Sequence, residues 1–429
     1  MLRTWSWIMA VGMLFGTSAV TAAGASTTHA SSIEERVGVR TARATVPGVT
    51  GTEIRVGGVA SITNVTNGPY NSANDGVQAY FDMVNSSGGV HGRRLNFAVR
   101  RDDRTAANAQ EVQALLDHDN VFAVLPVATI YSFSGARELV DRSVPTFGWG
   151  INDEWSGPKN LFGINGSRCM TCPYPTTPML AELAGRDTVG VLSYAVANSR
   201  DCAMNRKRAF EKYPTAKVAY FSTSVRFGQT DFSAEVRAMK RAGVSLISHC
   251  MDQNAALSLA REIKKQELAA IQLLPNGYDH AFMRANASFL AGSLVPVQFA
   301  PFETRPVPKG IKLFQTWMNK RGYPKNEISL TGWMSAHIFV AGLREAGRQV
   351  TRESLIDTLN KAKFKNDTIQ GILPGVQTIN HTRRVRLACV SVVEVAGDGS
   401  FKPWKTRPGK PFLCWDATAA ETPTRTIYR

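Results

Sequence analysis

Residues 53–100 read EIRVGGVASITNVTNGPYNSANDGVQAYFDMVNSSGGVHGRRLNFAVR, and this stretch decides the fold. Its opening segment, EIRVGGVA (53–60), predicts a β-strand. Four apolar residues then recur with the spacing of one helix face: Val77, Tyr80, Phe81 and Val84. Gly88 and Gly89 end this helix, and alternating apolar residues at 94–100 predict a second strand. The stretch is therefore a β-α-β unit.

The same alternation continues to residue 149. Residues 105–119 predict a helix with Thr105 as a candidate N-cap. Residues 121–127, VFAVLPV, form a nearly continuous apolar run, as expected of a strand that is covered on both faces. After a further helical segment, residues 144–149 predict a fourth strand. Strands that alternate with helices in this way form a parallel sheet with helices on both faces.

A second unit of the same kind begins after a proline-rich break at residues 173–178. Four more strands are predicted, at 187–193, 217–222, 244–250 and 270–276. Residues 309–363 are mostly helical, and the C-terminal part predicts antiparallel strands around a Gly-Asp-Gly turn. We therefore predict two successive α/β units of similar size.

The N-terminal residues predict export. Arg3 precedes a short apolar core at 5–20 and then small residues, the pattern of a secretory signal peptide over residues 1–24. Residues 25–51 are small and polar, and we interpret them as a flexible leader. The first cysteine is Cys169, too late to carry a lipid at the cleavage site. No later stretch reaches the roughly 18 apolar residues of a membrane helix. We expect an exported protein, without a lipid anchor, in the periplasm or the extracellular cell-envelope space.

Composition and charge indicate a globular protein with a basic surface. The 429 residues are 44% hydrophobic and 20% charged, which argues against disorder. The formal net charge of +16 could attract a nucleic acid or another anionic partner. The basic groups, however, are short and spread along the chain, and no nucleic-acid-binding motif accompanies them. We therefore expect no nucleic-acid partner.

Six cysteines in an exported chain suggest three disulfides, although spacing alone leaves 15 connectivities open. The spacing is compatible with the pairs Cys169–Cys172, Cys202–Cys250 and Cys389–Cys414. The Cys-Met-Thr-Cys motif could instead be a redox motif or half of a zinc site. It precedes a turn-rich segment, and no second such motif and no paired His follow. We therefore favour a structural disulfide.

The chain carries no recognisable enzymatic motif. The segment after the first strand lacks G-x-G-x-x-G, and neither a phosphate-binding P-loop nor a G-x-S-x-G motif occurs. The seven histidines are scattered and show no metal-ligand spacing. We expect neither an enzyme nor a bound metal or cofactor.

The order of the segments resembles that of the periplasmic branched-chain amino-acid-binding proteins, the Leu/Ile/Val-type receptors of ABC importers. The matching segments lie at 54–109, 121–150 (VFAVLPVATIYSFSGARELVDRSVPTFGWG), 227–247 (FGQTDFSAEVRAMKRAGVSLI), 357–364 (DTLNKAKF) and 369–371 (IQG). The resemblance covers roughly residues 52–400. It implies an α/β fold with two Rossmann-like lobes joined by a three-strand hinge, the type I periplasmic binding protein fold, whose lobes close around a ligand.

The resemblance also implies the domain organisation and the partners. The first lobe would comprise residues 52–165 with 300–365, and the second residues 166–299 with 366–429. The implied partners are a small-molecule ligand and the membrane permease of an ABC importer. We expect a monomer.

Ligands of open α/β sheets bind beyond the carboxyl ends of the strands, where helix N-termini attract anions. Thr129 matches the family position whose hydroxyl helps to hold a ligand carboxylate. From this rule and the resemblance, the predicted ligand-binding residues are Tyr70, Ala128, Thr129, Trp149, Gly150, Tyr194, Asn198, Asp252, Tyr278 and Asp279.

These residues also have structural interpretations. Thr129, Asp252 and Asp279 could each cap a helix, and Trp149 and Tyr194 could be core residues. In amino-acid-binding members of the family an acid of the second lobe pairs with the ligand ammonium, and Asp252 and Asp279 are the candidates here. Cysteines near the cleft depart from the family pattern, so the ligand identity stays open.

The sequence thus predicts an extracytoplasmic solute-binding protein that captures a small carboxylate-bearing, amino-acid-like solute. One alternative is a ligand-sensing or adaptor protein of the same fold. Another is a binder of an aromatic acid or a short amide. The lack of a predicted membrane span favours delivery to a transporter over a membrane receptor.

Overall fold

The fold was obtained as a computed structural model, which describes residues 46–164, 166, 172–361, 368–375 and 387–429. The predicted signal peptide, most of the predicted leader and Cys169 lie outside the described residues. None of the helices in the described ranges has both the length and the apolar character needed to cross a membrane.

Strands and helices alternate through most of the described chain. The strands are β1 (Glu53–Ala60), β2 (Arg94–Asp102), β3 (Ala123–Ala128), β4 (Thr146–Gly148), β5 (Leu161–Gly163), β6 (Thr188–Tyr194), β7 (Lys217–Val225), β8 (Leu246–Cys250), β9 (Ile271–Leu273), β10 (Leu294–Val297), β11 (Leu387–Val395), β12 (Phe401–Pro403), β13 (Leu413–Asp416) and β14 (Ile427–Tyr428). The helices are α1 (Ser72–Asn85), α2 (Asn108–Asp117), α3 (Ala136–Asp141), α4 (Thr176–Leu183), α5 (Ala197–Lys212), α6 (Ser233–Arg241), α7 (Gln253–Lys265), α8 (His280–Ala285), α9 (Ala287–Leu290), α10 (Lys309–Arg321), α11 (Glu327–Ala346) and α12 (Arg352–Asn360).

The first lobe is built on a five-stranded sheet in the order β2-β1-β3-β4-β5. Its strand pairings are all parallel, as predicted. After each strand the chain crosses back to the end of the sheet at which that strand began, so the next strand runs in the same direction. Strand β3 is buried along its whole length, which explains the continuous apolar run in this part of the sequence.

The second lobe contains a mixed nine-stranded sheet in the order β14-β13-β11-β10-β9-β8-β6-β7, with β12 paired to β11. The pairings from β7 to β10 are parallel. Strand β11 pairs antiparallel with β10, β12 and β13. The antiparallel strands predicted around the Gly-Asp-Gly turn therefore extend the parallel part of this sheet.

The chain passes between the two lobes three times: after β5, between β10 and α10, and between α12 and β11. Helices α10 and α11 follow strands of the second sheet in sequence, yet they pack on the first lobe, where α11 contacts β3 and β4. Residues 368–375 lie against the start of α10, since Ile369 and Ile372 surround Gly310. The two-lobed fold with a three-strand hinge is thus confirmed, while the exact residue boundaries of the lobes stay a prediction.

Helix α11 is held against α1 at two glycines. A Cβ atom at Gly76 would lie 1.9 Å from the carbonyl oxygen of Ser329, and a Cβ atom at Gly332 would lie 1.8 Å from that of Ala73. The backbones of the two helices therefore touch directly, and only a residue without a side chain fits at either position. Next to this contact the buried indole of Trp333 packs edge-on against the rings of Tyr80 and Phe314.

Replacing Gly76 or Gly332 with alanine should strongly destabilise the protein, because the methyl group forces the helix backbones apart. We expect each substitution to lower the free energy of unfolding by about 2–3 kcal/mol, the upper part of the range for overpacked cores. Helix propensity alone would favour alanine by about 1 kcal/mol. Gly51→Ala is the control, since a Cβ there has no atom within 4 Å. Urea unfolding measures these effects, and a Gly332→Ala protein as stable as the wild type would contradict the backbone contact.

Candidate functional site

A cavity of about 340 Å³ lies between the two lobes. Its lining comes from the carboxyl ends of strands and from the loops and helices that follow them, as expected for open α/β sheets. Among the described residues, the lining includes Thr66, Tyr70, Ile130, Trp149, Tyr194, Asn198, Arg206, Phe227, Asp252 and Glu327.

Aromatic rings form much of the cavity wall. The ring centroids of Tyr70 and Trp149 in the first lobe are 5.9 Å apart, and those of Tyr194 and Phe227 in the second lobe are 5.0 Å apart. Burial, reinforced by the nearby Asp252 charge, raises the pKa of the Tyr70 and Tyr194 hydroxyls. Both hydroxyls therefore stay protonated and can donate hydrogen bonds.

Asp252 is a fixed carboxyl group on the second-lobe wall. It caps α7, and its Oδ1 accepts hydrogen bonds from the backbone N–H groups of Asn254 at 2.8 Å and Ala255 at 3.3 Å. Its Oδ2 accepts a hydrogen bond from the Tyr194 hydroxyl. Burial raises the pKa of this carboxyl, and the hydrogen bonds from Tyr194 and the backbone act in the opposite direction. Asp252 is thus both a helix cap and a cavity residue.

Arg206 is the only Lys or Arg side chain among the described residues that line the cavity. It lies on α5, and its guanidinium donates to the backbone carbonyl oxygen of His249. Burial lowers the pKa of Arg206 to about 10, so the side chain is still charged at neutral pH. Burial and the charge of Arg206 lower the pKa of the His249 ring to about 3, so this ring is neutral. Among the described residues of the lining, Arg206 therefore offers the one Lys or Arg charge to an anionic group.

Contacts across the cavity connect the two lobes. The contacting pairs include Asn198–Ile130, Asn254–Thr66 and Tyr131–Phe227. In the first two pairs a side-chain amide donates to a backbone carbonyl oxygen, at 3.1 and 2.6 Å. In the third pair the ring centroids are 5.4 Å apart. The two lobes therefore touch around the cavity.

Two of the predicted cysteine pairs, Cys202–Cys250 and Cys389–Cys414, form disulfides. The first disulfide ties α5, which carries Arg206, to the end of β8, which leads into Asp252. The predicted pairing of Cys172 involves Cys169, which lies outside the described residues.

Six of the predicted ligand-binding residues line the cavity: Tyr70, Trp149, Gly150, Tyr194, Asn198 and Asp252. The other four do not belong to the lining of the described cavity. Ala128 and Thr129 are buried in the first lobe, and the Thr129 hydroxyl donates to the carbonyl oxygen of Ser132 at 3.1 Å. Tyr278 is fully buried, and its hydroxyl donates a hydrogen bond to the carboxyl group of Glu303. Asp279 caps α8.

The lining also contains residues that the sequence reasoning missed, among them Arg206, Glu327, Thr331 and Met334. The last three lie at the start of α11. A capping box between Asn326 and Ser329 begins this helix. Asn is a favoured N-cap residue, but Ser329 stands where the usual sequence pattern has Glu or Gln. Nothing in the sequence, however, places the start of this helix at the cavity.

Comparison with known proteins finds relatives that share the fold. Residues 53–400 match a protein-family model described as a periplasmic binding protein. A fatty acid ABC transporter substrate-binding protein from Thermomonospora curvata has a TM-score of 0.67 at 20% identity, over 83% of this chain and 93% of that chain. A branched chain amino acid ABC transporter from Thermus thermophilus with bound valine has a TM-score of 0.69 at 18% identity, over 84% and 97%. A possible leucine/isoleucine/valine-binding protein from Rhodopirellula baltica has a TM-score of 0.70 at 14% identity, over 84% and 98%. No curated protein sequence matches the chain.

Asp252→Ala should destabilise the protein more than Asp279→Ala, although both residues cap helices. Loss of an N-cap costs about 1 kcal/mol in either variant. Only Asp252→Ala also removes the acceptor of the buried Tyr194 hydroxyl, which adds about 1–3 kcal/mol. Urea unfolding of the two variants measures the difference, and equal losses of stability would contradict a structural role for the Tyr194–Asp252 hydrogen bond.

Proposed function

This chain belongs to the periplasmic binding protein family, and from this premise we propose that it is the extracytoplasmic solute-binding protein of an ABC importer. It captures a small carboxylate-bearing, amino-acid-like solute between its lobes and presents that solute to the membrane permease. The observation that supports this proposal best is the cavity between the lobes, whose wall contains a single charged guanidinium group, that of Arg206, among the described residues.

The chemistry of the cavity suits a small carboxylate. A guanidinium group holds a carboxylate through charge-assisted hydrogen bonds, and aromatic rings pack against the apolar part of a solute. The volume of about 340 Å³ lies within the range of small-molecule sites. Two structural neighbours are named for a fatty acid and for bound valine, and both of these solutes carry a carboxylate.

The contacts between the lobes support a closing mechanism. A solute that touches both lobes favours the closed form by the free energy of the contacts that exist only in that form. The side chains of Asn198 and Asn254 add contacts between the lobes to those of the solute. The permease receives the closed, loaded protein in the periplasm or the extracellular cell-envelope space.

An aromatic acid is the second candidate solute, because six aromatic side chains among the described residues line the cavity: Tyr70, Trp149, Tyr174, Tyr194, Phe227 and Phe299. A sensor or adaptor with the same fold would use the same cavity, and fold alone does not decide between delivery and sensing.

A thermal-shift screen of the exported protein against amino acids, aromatic acids and short amides tests the proposal. A ligand at 100 times its Kd adds about 2.7 kcal/mol of stability. Stabilisation by aliphatic amino acids would support an amino-acid importer, and stabilisation by aromatic acids alone would support the second candidate. If no member of the panel stabilises the protein, the proposal that it captures a small carboxylate-bearing solute for import fails.

Arg206→Gln should weaken the binding of each carboxylate found in the screen by about 10- to 100-fold, since hydrogen bonds to charged groups contribute about 1.5–3 kcal/mol. The matched control is Arg208→Gln, which removes the same charge from an exposed position on the same helix. This control should bind as the wild type does. Isothermal titration calorimetry compares the variants, and equal affinities would show that the solute carboxylate lies away from Arg206.

A further inference from the structure

The loop between β12 and β13 is basic and exposed. Residues 401–412 read FKPWKTRPGKPF and contain Lys and Arg but no Asp or Glu. Lys405, Arg407 and Lys410 are all exposed to solvent. None of the ion pairs within the described ranges involves one of these three side chains. The positive charges of this loop are therefore not neutralised by the described part of the protein.

The tip of the loop is a tight turn that holds two like charges side by side. Pro408 and Gly409 occupy its central positions, and the φ angle of Gly409 is +70°, which suits the third position of a type II turn. Arg407 and Lys410 exchange two backbone hydrogen bonds across the turn, at 3.3 and 2.9 Å. Like charges that face each other across a strand pair are destabilising. An anionic partner that neutralises both charges would remove this cost.

Two further basic residues lie beside this turn. The Gly409 N–H donates to the carbonyl oxygen of Arg305 at 2.9 Å, which ties the turn to the segment between β10 and α10. The backbones of Phe412 and Arg429 exchange hydrogen bonds at 2.9 and 3.1 Å, so Arg429 lies at the base of the loop. Both arginines are exposed. The C-terminal basic surface is defined by five residues: Arg305, Lys405, Arg407, Lys410 and Arg429.

Apolar side chains are interleaved with these charges. The guanidinium carbon of Arg407 lies 3.9 Å from the centroid of the Tyr428 ring, and this stacking leaves the N–H groups at the guanidinium edge free to donate to phosphate oxygens. Ile427 is 39% exposed, and Trp404, whose ring lies 5.9 Å from Nζ of Lys405, is half-buried. Basic side chains interleaved with apolar and aromatic ones suit the interface of a membrane.

We propose that the C-terminal basic surface binds the anionic lipid headgroups of a membrane. A bilayer fits better than a soluble polyanion, because only a bilayer can also bury the apolar groups of Ile427 and Trp404. None of the five basic residues belongs to the described lining of the cavity, so this contact leaves the cavity free for a solute. The inference therefore goes beyond the proposed function and does not depend on how a solute is held.

Co-sedimentation of the protein with sucrose-loaded vesicles tests this surface. One set of vesicles contains phosphatidylcholine alone, and the other contains an equimolar mixture of phosphatidylcholine and phosphatidylglycerol. We expect the protein to bind to the mixed vesicles only. Binding should weaken as the ionic strength rises from about 0.01 M to about 0.15 M, because the Debye length falls from about 30 Å to about 8 Å.

Two double variants separate this surface from the net charge of +16. Arg407→Gln/Lys410→Gln removes two charges from the surface, and the control Arg237→Gln/Arg241→Gln removes two from exposed positions on α6. Each basic group near an anionic membrane contributes about fivefold to binding, so the first variant should bind the mixed vesicles about 30-fold more weakly. The control should bind them as the wild type does. Thermal unfolding confirms that both variants are folded.

Ile427→Ser distinguishes a membrane from a soluble polyanion. Loss of the apolar contact should weaken binding to the mixed vesicles by about threefold or more. Binding to long-chain polyphosphate, which offers charge alone, should stay unchanged in this variant. If the wild type binds polyphosphate but not the mixed vesicles, the surface belongs to a soluble polyanion and the membrane proposal is wrong.

The remaining outcomes keep this inference apart from the proposed function. Equal binding to both kinds of vesicle, or equal weakening by both double variants, would overturn the C-terminal basic surface. Arg407→Gln/Lys410→Gln should bind the solutes of the thermal-shift screen as the wild type does, because both residues lie outside the described cavity lining. A failure of vesicle binding therefore leaves solute capture standing, and a failure of solute capture leaves the membrane contact standing.

Discussion

The direct backbone contact between α1 and α11 at Gly76 and Gly332 holds α11 on the first lobe, and so positions the part of the cavity wall that α11 provides. Helix α11 follows the parallel strands of the second sheet in sequence, yet this contact seats it on the first lobe. The capping box then fixes the residue at which the helix begins. Glu327 and Thr331 are four residues apart, so they lie on one face of the helix, and both line the cavity. Moving the helix pair apart would displace this part of the cavity wall.

Buried charges need partners, because the loss of hydration costs several kcal/mol for each ion. Two of the charged groups of the cavity receive these partners from the protein itself. Asp252 accepts two backbone N–H groups and a tyrosine hydroxyl, and Arg206 donates to a backbone carbonyl oxygen. The Oε2 atom of Glu327 has no hydrogen-bond partner among the described residues, and burial raises the pKa of this carboxyl to about 7. Burial raises the pKa of both carboxyl groups, and at Asp252 the hydrogen bonds from Tyr194 and from the start of α7 oppose this rise.

Local sequence patterns account for most of the fold but for only part of the cavity. Strands β1 and β2 and helix α1 were predicted because each has a clear period of apolar residues. The short strands β5 and β10 were not predicted, since three or four residues carry no usable period. The equally short strands β4 and β9 were predicted because each lies within a longer apolar segment. The strand-end rule selected Tyr194 and Asp252, which line the cavity, and also Thr129, whose hydroxyl donates a hydrogen bond within its own loop. The position of Glu327 at the cavity depends on the contact between α1 and α11, which are far apart in sequence. No local sequence pattern predicts such a contact.

The Cys202–Cys250 disulfide cross-links the second-lobe half of the cavity. It joins the helix of Arg206 to the strand that precedes Asp252, so both charged side chains belong to one cross-linked part of the second lobe. A half-site that is already ordered loses less conformational entropy when a solute binds. The first lobe contributes Tyr70, Trp149 and Glu327 to the opposite wall of the cavity. Under the proposed function, a solute held by the second lobe contacts these first-lobe residues only when the lobes meet. Through such contacts a bound solute can favour the closed form.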